Sequence, residues 1–207
     1  KIVFTCHNKI LAENLRERIP EFFDFMKVDE QIKWNEKLWV MSGWGSKGDF
    51  NSGVYSYICS YYNVSFERFS YNTTFDDVCK RALQRLNELI NFEECFDYIL
   101  IDESQDFTQS FFALCKKVTK NCVYIAGDIF QNVFETESVS EVNPDFLLNK
   151  CYRTDPKTLM CAHAIGMGLF ADGPDKYMRW LDDKAWEACG YDVKKSEGFY
   201  DLHRRPL

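Results

Sequence analysis

Asp102 and Glu103 stand side by side at the end of an apolar run, Tyr98-Ile99-Leu100-Ile101. Two adjacent carboxylates in that place can divide the labour of a phosphate-handling site. One can ligate a hard divalent cation such as Mg²⁺, which takes oxygen ligands, commonly one or two carboxylates completed by phosphate oxygens and water. The other can orient a water and take its proton. An acidic strand end that only caps the next helix uses the same residue types, and this stretch alone leaves both readings open.

The surrounding elements decide where such a pair would sit. Tyr98 to Ile101 is unbroken and strand-forming, which predicts a strand covered on both faces. In an open α/β sheet, ligands gather at the carboxyl ends of the strands. Upstream, Ile2 to Thr5 reads as a short strand and Asn8 as the cap of a helix. Leu11, Leu15 and Ile19 share one face of that helix, and Pro20 is expected to end it. Leu38-Trp39-Val40-Met41 is a second strand, leading into Ser42-Gly43-Trp44-Gly45-Ser46, a loop through which backbone can approach a ligand. A helix is expected from about 54 to 62. Thr74-Phe75-Asp76-Asp77 is a capping-box variant that opens a helix running to about 91. Beyond the acidic pair come a helix over 108–118 and a strand over 122–126. A short strand at Phe146-Leu147-Leu148 follows, then a helix started by Asp155-Pro156 and a last helix over 180–189 stopped by Gly190. The polar tail to Leu207 is expected to be loose. Strands alternating with helices give an α/β class with a mostly parallel sheet flanked by helices.

Bulk properties narrow the class. The 207 residues, 46% hydrophobic, suffice for one domain and part of another. A net charge of −7 argues against a generic electrostatic binder of nucleic acid, while leaving room for a protein that grips a strand in a local groove. None of the nine cysteines forms a C-x-x-C pair, which points to free thiols of a cytoplasmic protein, most of them small core residues. No apolar stretch approaches membrane-spanning length. The chain opens with Lys1 directly into a strand and is expected to be a piece of a larger protein.

Asp102-Glu103-Ser104-Gln105-Asp106 resembles motif II, the Walker B box (D-E-x-Q-D), of the UvrD/Rep branch of superfamily I helicases. Three further stretches resemble other motifs of that family in its order. Phe4-Thr5-Cys6-His7-Asn8-Lys9 is similar to motif Ia, where Thr5, Asn8 and Lys9 would touch single-stranded DNA; Cys6 stands where many relatives carry a stacking aromatic. Gly127-Asp128-Ile129-Phe130-Gln131-Asn132-Val133-Phe134 is similar to motif III, with Gln131 matching the γ-phosphate sensor and Phe134 an aromatic that stacks on DNA. The basic tail usual there is replaced by Glu135-Thr136-Glu137. Asn149-Lys150-Cys151-Tyr152-Arg153-Thr154 is similar to motif IV, with Cys151 for the usual Asn.

The resemblance implies an incomplete RecA-like P-loop NTPase core, with residues 1–149 in the first domain and 150–207 at the start of the second. It implies ATP and Mg²⁺ as cofactors. Asp102 would hold the metal, Gln105 and Asp128 would help bind the nucleotide, and Glu103 would activate the attacking water. Gln131 and Arg153 would act on the γ-phosphate, Arg153 through a guanidinium fork that cannot lose its proton. Trp44-Gly45 resembles a Trp-Gly pair that a related sub-branch carries after this strand, beside the nucleic-acid groove, and there Trp44 would stack on a base. The partners implied are single-stranded DNA or a duplex junction, together with the missing parts of the same polypeptide. The phosphate-cradling loop G-x-x-x-x-G-K-[ST] is not found in these residues and is expected just upstream. Two other classes remain in view. One is a non-catalytic relative that binds nucleic acid or protein. The other is a metal-dependent nuclease built on Asp102, Glu103 and Asp128, which would need several carboxylates to converge.

Overall fold

The computed structural model describes residues 1–128, 144–148, 150–151, 153–168, 181–197 and 199–205. The chain divides into two compact units, Lys1–Asp128 and Ile129–Leu207.

The first unit is a four-stranded, all-parallel sheet flanked by helices. In chain order it runs β1 (Ile2–Cys6), α1 (Lys9–Phe25), β2 (Leu38–Ser42), α2 (Val54–Tyr61), α3 (Phe75–Asn87), β3 (Phe96–Ile101), α4 (Gln109–Val118) and β4 (Thr119–Ile125). The strands lie in the order β2-β1-β3-β4. Thr5 is level with Met41 on one side and Ile101 on the other, and Ile101 is level with Ile125, so the carboxyl ends of all four strands form one edge.

The period of two along each strand sorts side chains to opposite faces. Val3, Trp39, Met41, Ile99 and Ile101 point to one face. There they meet Val54, Tyr55 and Ile58 of α2, Val78, Cys79, Ala82 and Leu86 of α3, and Phe111 and Leu114 of α4 in a single buried core. Each such side chain contributes roughly 1.5–3 kcal/mol relative to an exposed position, so this face fixes the register of the sheet. Cys6 and Val40 point the other way, where α1 covers them with Ala12, Leu11, Leu15 and Ile19.

Local signals account for most boundaries. Asn8 caps α1, its side-chain oxygen accepting from Ile10 N and Leu11 N. Thr74 and Asp77 form the full reciprocal capping box of α3. Pro20 does not end α1, which continues to Phe25. Its fixed φ is helical, and the helix tolerates both the missing N–H bond and the crowding of the ring against the preceding turn. Tyr98 is 37% exposed, because among the described residues of this unit α1 packs only on the β1–β2 half of its side of the sheet.

The second unit contains α5 (Pro156–Gly166), α6 (Asp183–Ala188) and an antiparallel hairpin of β5 (Tyr191–Ser196) and β6 (Phe199–Arg204). Met167, Leu181, Trp186, Cys189 and Tyr191 form its small core. The hairpin corrects the expectation of a loose tail: alternate residues Tyr191 and Val193 pack inward with Leu202, enough to hold a polar ribbon in place. Phe146-Leu147-Leu148 is not a strand; no strand pairs with it among the described residues, and Phe146 and Leu148 are almost wholly exposed. Asp155 and Asp182 cap their helices as the sequence suggests for the first of them. Among the described residues no helix is long and apolar enough to cross a membrane.

Candidate functional site

The passage from β3 to α4 carries the acidic pair. Asp102 N donates to Thr5 O at 2.9 Å, Ala126 N donates to Ile101 O at 2.8 Å, and Ser104 N donates to Ala126 O at 2.9 Å. The ends of β1, β3 and β4 are thus stitched together around Asp102. Glu103 N donates to Asp102 Oδ1 at 3.0 Å, and the chain then closes a single 3₁₀ turn over Ser104–Asp106.

To make that turn Glu103 adopts φ 51° and ψ 52°, the left-handed region. A residue with a Cβ is disfavoured there by about 1–2 kcal/mol. Such conformations persist where surrounding structure imposes them and they concentrate at functional sites. The backbone bonds of Asp102 and Ser104 fix the chain on either side of Glu103, and Gln105 holds its carboxylate. Gln105 Nε2 donates to Glu103 Oε2 at 2.6 Å, while Gln105 Oε1 accepts from Asp128 N at 3.3 Å. One amide therefore ties the carboxylate at the end of β3 to the backbone at the end of β4. Gly127 makes room for this: a Cβ there would lie 2.2 Å from Ser104 Oγ. Asp102, Glu103 and Gln105 are all partly exposed, so the corner opens to solvent.

The corner is electronegative. The Cys6 thiol at the neighbouring strand end is pushed up to about 11, first by burial and then by the charges of Asp102, Glu103 and Asp106. Burial would resist a cation as it resists a thiolate, and it is the contribution of the three carboxylates that favours a bound cation. Among the described residues no three Asp, Glu, His or Cys side chains converge as a metal cage. Asp102 at an open strand end instead suits the habit of Mg²⁺, which takes few protein carboxylates and completes its shell with phosphate oxygens and water.

The other expected contacts are distributed as follows. Asp128 reaches the corner through its backbone N–H. Thr5 is fully buried, and its hydroxyl has no hydrogen-bond partner. Its side chain is enclosed by the sheet instead of being presented to a nucleic acid, because it lies on the α2–α4 face. Asn8 and Lys9 are exposed where α1 begins, and the Asn8 oxygen is engaged in capping. Arg153 is an exposed residue of the second unit. Gln131 and Phe134 lie outside the described residues.

Trp44 lies in the loop after β2. Its ring stacks on Phe75 with centroids 5.2 Å apart, and its Nε1 donates to Glu67 O at 3.1 Å. Its remaining surface lines a pocket of about 240 Å³ with Lys47, Phe66, Arg68 and Phe69. That mixture of aromatic and basic side chains is the composition that holds stacked bases and their phosphates. Sequence reasoning missed Phe66, Arg68 and Phe69, although the interleaving of aromatic and basic types in Phe66-Glu67-Arg68-Phe69 was there to be seen. It also missed the need for glycine at 127, which depends on how closely two strand ends approach.

Comparison with protein-family models, with curated proteins and with solved structures found no match.

Proposed function

We propose that this chain is part of the ATP-hydrolysing core of a UvrD/Rep-like superfamily I DNA helicase or translocase, in which a RecA-like sheet couples hydrolysis to movement on single-stranded DNA. The observation that carries the reading is the Gln105 bridge. A glutamine holds a left-handed glutamate at the end of one parallel strand and the backbone at the end of the next. In this reading Asp102 would hold Mg²⁺, which supplies positive charge at the phosphates of bound ATP. Glu103 orients and deprotonates the attacking water with its second carboxylate oxygen, the first being fixed by Gln105. Gln131 and Arg153, from later in the chain, would complete the contacts to the γ-phosphate. Asn8 and Lys9, and the pocket beside Trp44, would supply contacts to the strand.

The test uses the complete protein of which this chain is part. Glu103→Gln should abolish DNA-stimulated ATP hydrolysis while leaving ATP binding intact, and normal turnover in that variant would remove Glu103 from the mechanism. A second reading, a non-catalytic relative that binds nucleic acid or protein, is favoured by the aromatic–basic pocket, which needs no nucleotide to work. Single-strand binding that survives both Glu103→Gln and the absence of ATP, with no hydrolysis by the complete wild-type protein, would select it.

A further inference from the structure

The Gln105 amide does more than anchor a carboxylate. It lies between the ends of two strands and turns a different group to each. Its orientation is dictated by those neighbours. The backbone N–H of Asp128 can only donate, so it faces Oε1. The ionised Glu103 carboxylate can only accept, so it faces Nε2. Turning the amide over would set donor against donor and acceptor against acceptor. The side chain cannot follow one partner without leaving the other.

The two partners belong to different elements: Glu103 follows β3 and Asp128 follows β4. Among the described residues, Gln105 supplies the one side-chain hydrogen bond that the Glu103 carboxylate receives. Gly127 lets the strand end come this close, since a Cβ there would lie 3.2 Å from Gln105 Oε1 as well as against Ser104. A displacement of the β4 end therefore moves the acceptor side of the amide, and through its donor side the carboxylate. The amide oxygen and one amide N–H are spent on protein partners, which runs against the share in nucleotide binding that the family resemblance implies for Gln105. We infer that Gln105 is a positioning residue: it makes the aim of the Glu103 carboxylate follow the end of β4, and it does not hold the nucleotide. The inference rests on the hydrolytic reading of Glu103 given above.

The test measures kcat and ATP affinity in the complete protein, with rates taken per molecule that binds ATP so that loss by unfolding does not enter. Gln105→Met keeps the reach of the side chain and deletes both bonds. Its kcat should fall roughly ten- to a hundredfold, the scale of a misplaced reacting group, with ATP affinity unchanged. Gln105→His carries a donor and an acceptor in one ring and should recover part of the loss. Gln105→Lys can donate to Glu103 but cannot accept from Asp128, and should be as slow as Gln105→Met. Glu103→Gln combined with Gln105→Met should be no slower than Glu103→Gln alone, because the second change acts through the first residue. Weaker ATP binding at an unchanged kcat would overturn the inference by giving Gln105 to the nucleotide. Parental turnover in Gln105→Lys would overturn it by showing that the tie to β4 is dispensable. A double variant slower than Glu103→Gln would give Gln105 work of its own and would overturn it too. Normal turnover in Glu103→Gln would instead remove the hydrolytic reading beneath it, so the two failures are told apart.

Discussion

Two strand-to-helix passages lie side by side at the carboxyl edge of the sheet, and they are built on opposite terms. Between β1 and α1 the chain turns through Asn8, whose backbone is extended at φ −83° and ψ 125° and whose side chain caps the helix. Every local preference is met there. Between β3 and α4 the chain turns through Glu103 in the left-handed region, and Thr108, which precedes α4, makes no side-chain cap. Thr108 and Ser110 share a hydrogen bond instead, and Ser110 donates to Asp76 of α3 at 2.6 Å. Neighbouring segments under the same sheet constraint thus differ in whether local rules are obeyed, and the one that breaks them holds the acidic pair. Strain retained beside an obeyed rule marks a place where side-chain position is worth more than backbone ease.

The largest effect should come from chemistry at the strained turn. In the complete protein, Glu103→Gln removes a general base without changing size, and general-base removal typically costs 10²–10⁴-fold, so steady-state hydrolysis of ATP should fall by about that factor. Filter binding of ATP should be unchanged. Asn8→Asp, the reverse charge change at the relaxed turn, should keep the helix and the ATP hydrolysis measured without DNA. Equal losses at the two turns would erase the distinction between them.

The next effect is on stability. Gly127→Ala places a methyl group 2.2 Å from Ser104 Oγ, so the Ser104 side chain must turn out of its present rotamer, at a cost of about 0.5–1.5 kcal/mol. The midpoint of denaturant unfolding should drop accordingly. Adding Ser104→Gly should recover part of the loss, since it removes the atom that is struck. No recovery would mean that the strand ends do not approach as closely in solution.

At the relaxed turn, Asn8→Ala deletes the acceptor for two helix N–H groups and should cost about 1 kcal/mol, while Asn8→Ser or Asn8→Asp should restore it. An unchanged midpoint for the alanine variant would show that α1 is held by its packing on Val40 and Cys6 alone.

The same contrast explains what the amino-acid pattern reveals. Capping at Asn8, Thr74 and Asp155, the core faces of α3 and α4, and the parallel α/β class follow from periodicity and local hydrogen bonding, which act over a few residues. The adjacency of Asp102 and Glu103 at a strand end is equally legible. The Gln105 bridge to Asp128 is not, because it depends on the register between β3 and β4, and registry is a property of two segments at once. The exposure of Tyr98 was hidden for a similar reason: an unbroken apolar run predicts burial on both faces, and only the reach of α1 shows that, among the described residues of this unit, Tyr98 lies beyond it. Pro20 misled because a proline is read as a stop, whereas this helix tolerates both the missing bond and the crowding of the ring. The hairpin of the second unit was missed because its sequence is largely polar, and among the described residues Tyr191, Val193 and Leu202 are what pack inward.

The smallest expected effect is the most discriminating for the left-handed turn. Glu103→Gly gains relief from a conformation that costs a side chain about 1–2 kcal/mol. It loses the hydrogen bond from Gln105, worth about 1 kcal/mol, and adds freedom to the unfolded chain worth roughly 0.5–1 kcal/mol. These terms nearly cancel, so the unfolding midpoint should barely move even though turnover is lost. Glu103→Val loses the same hydrogen bond and keeps the steric penalty, made worse by branching at Cβ, and should be less stable than the glycine variant by about 1–2 kcal/mol. At position 8, where the backbone is extended, the same pair of substitutions should lack this steric gap, because what is lost there is the cap. Valine as well tolerated as glycine at 103 would mean that the turn relaxes out of the left-handed region in solution, and the glutamate would then lose the geometry that sets it apart from its neighbour.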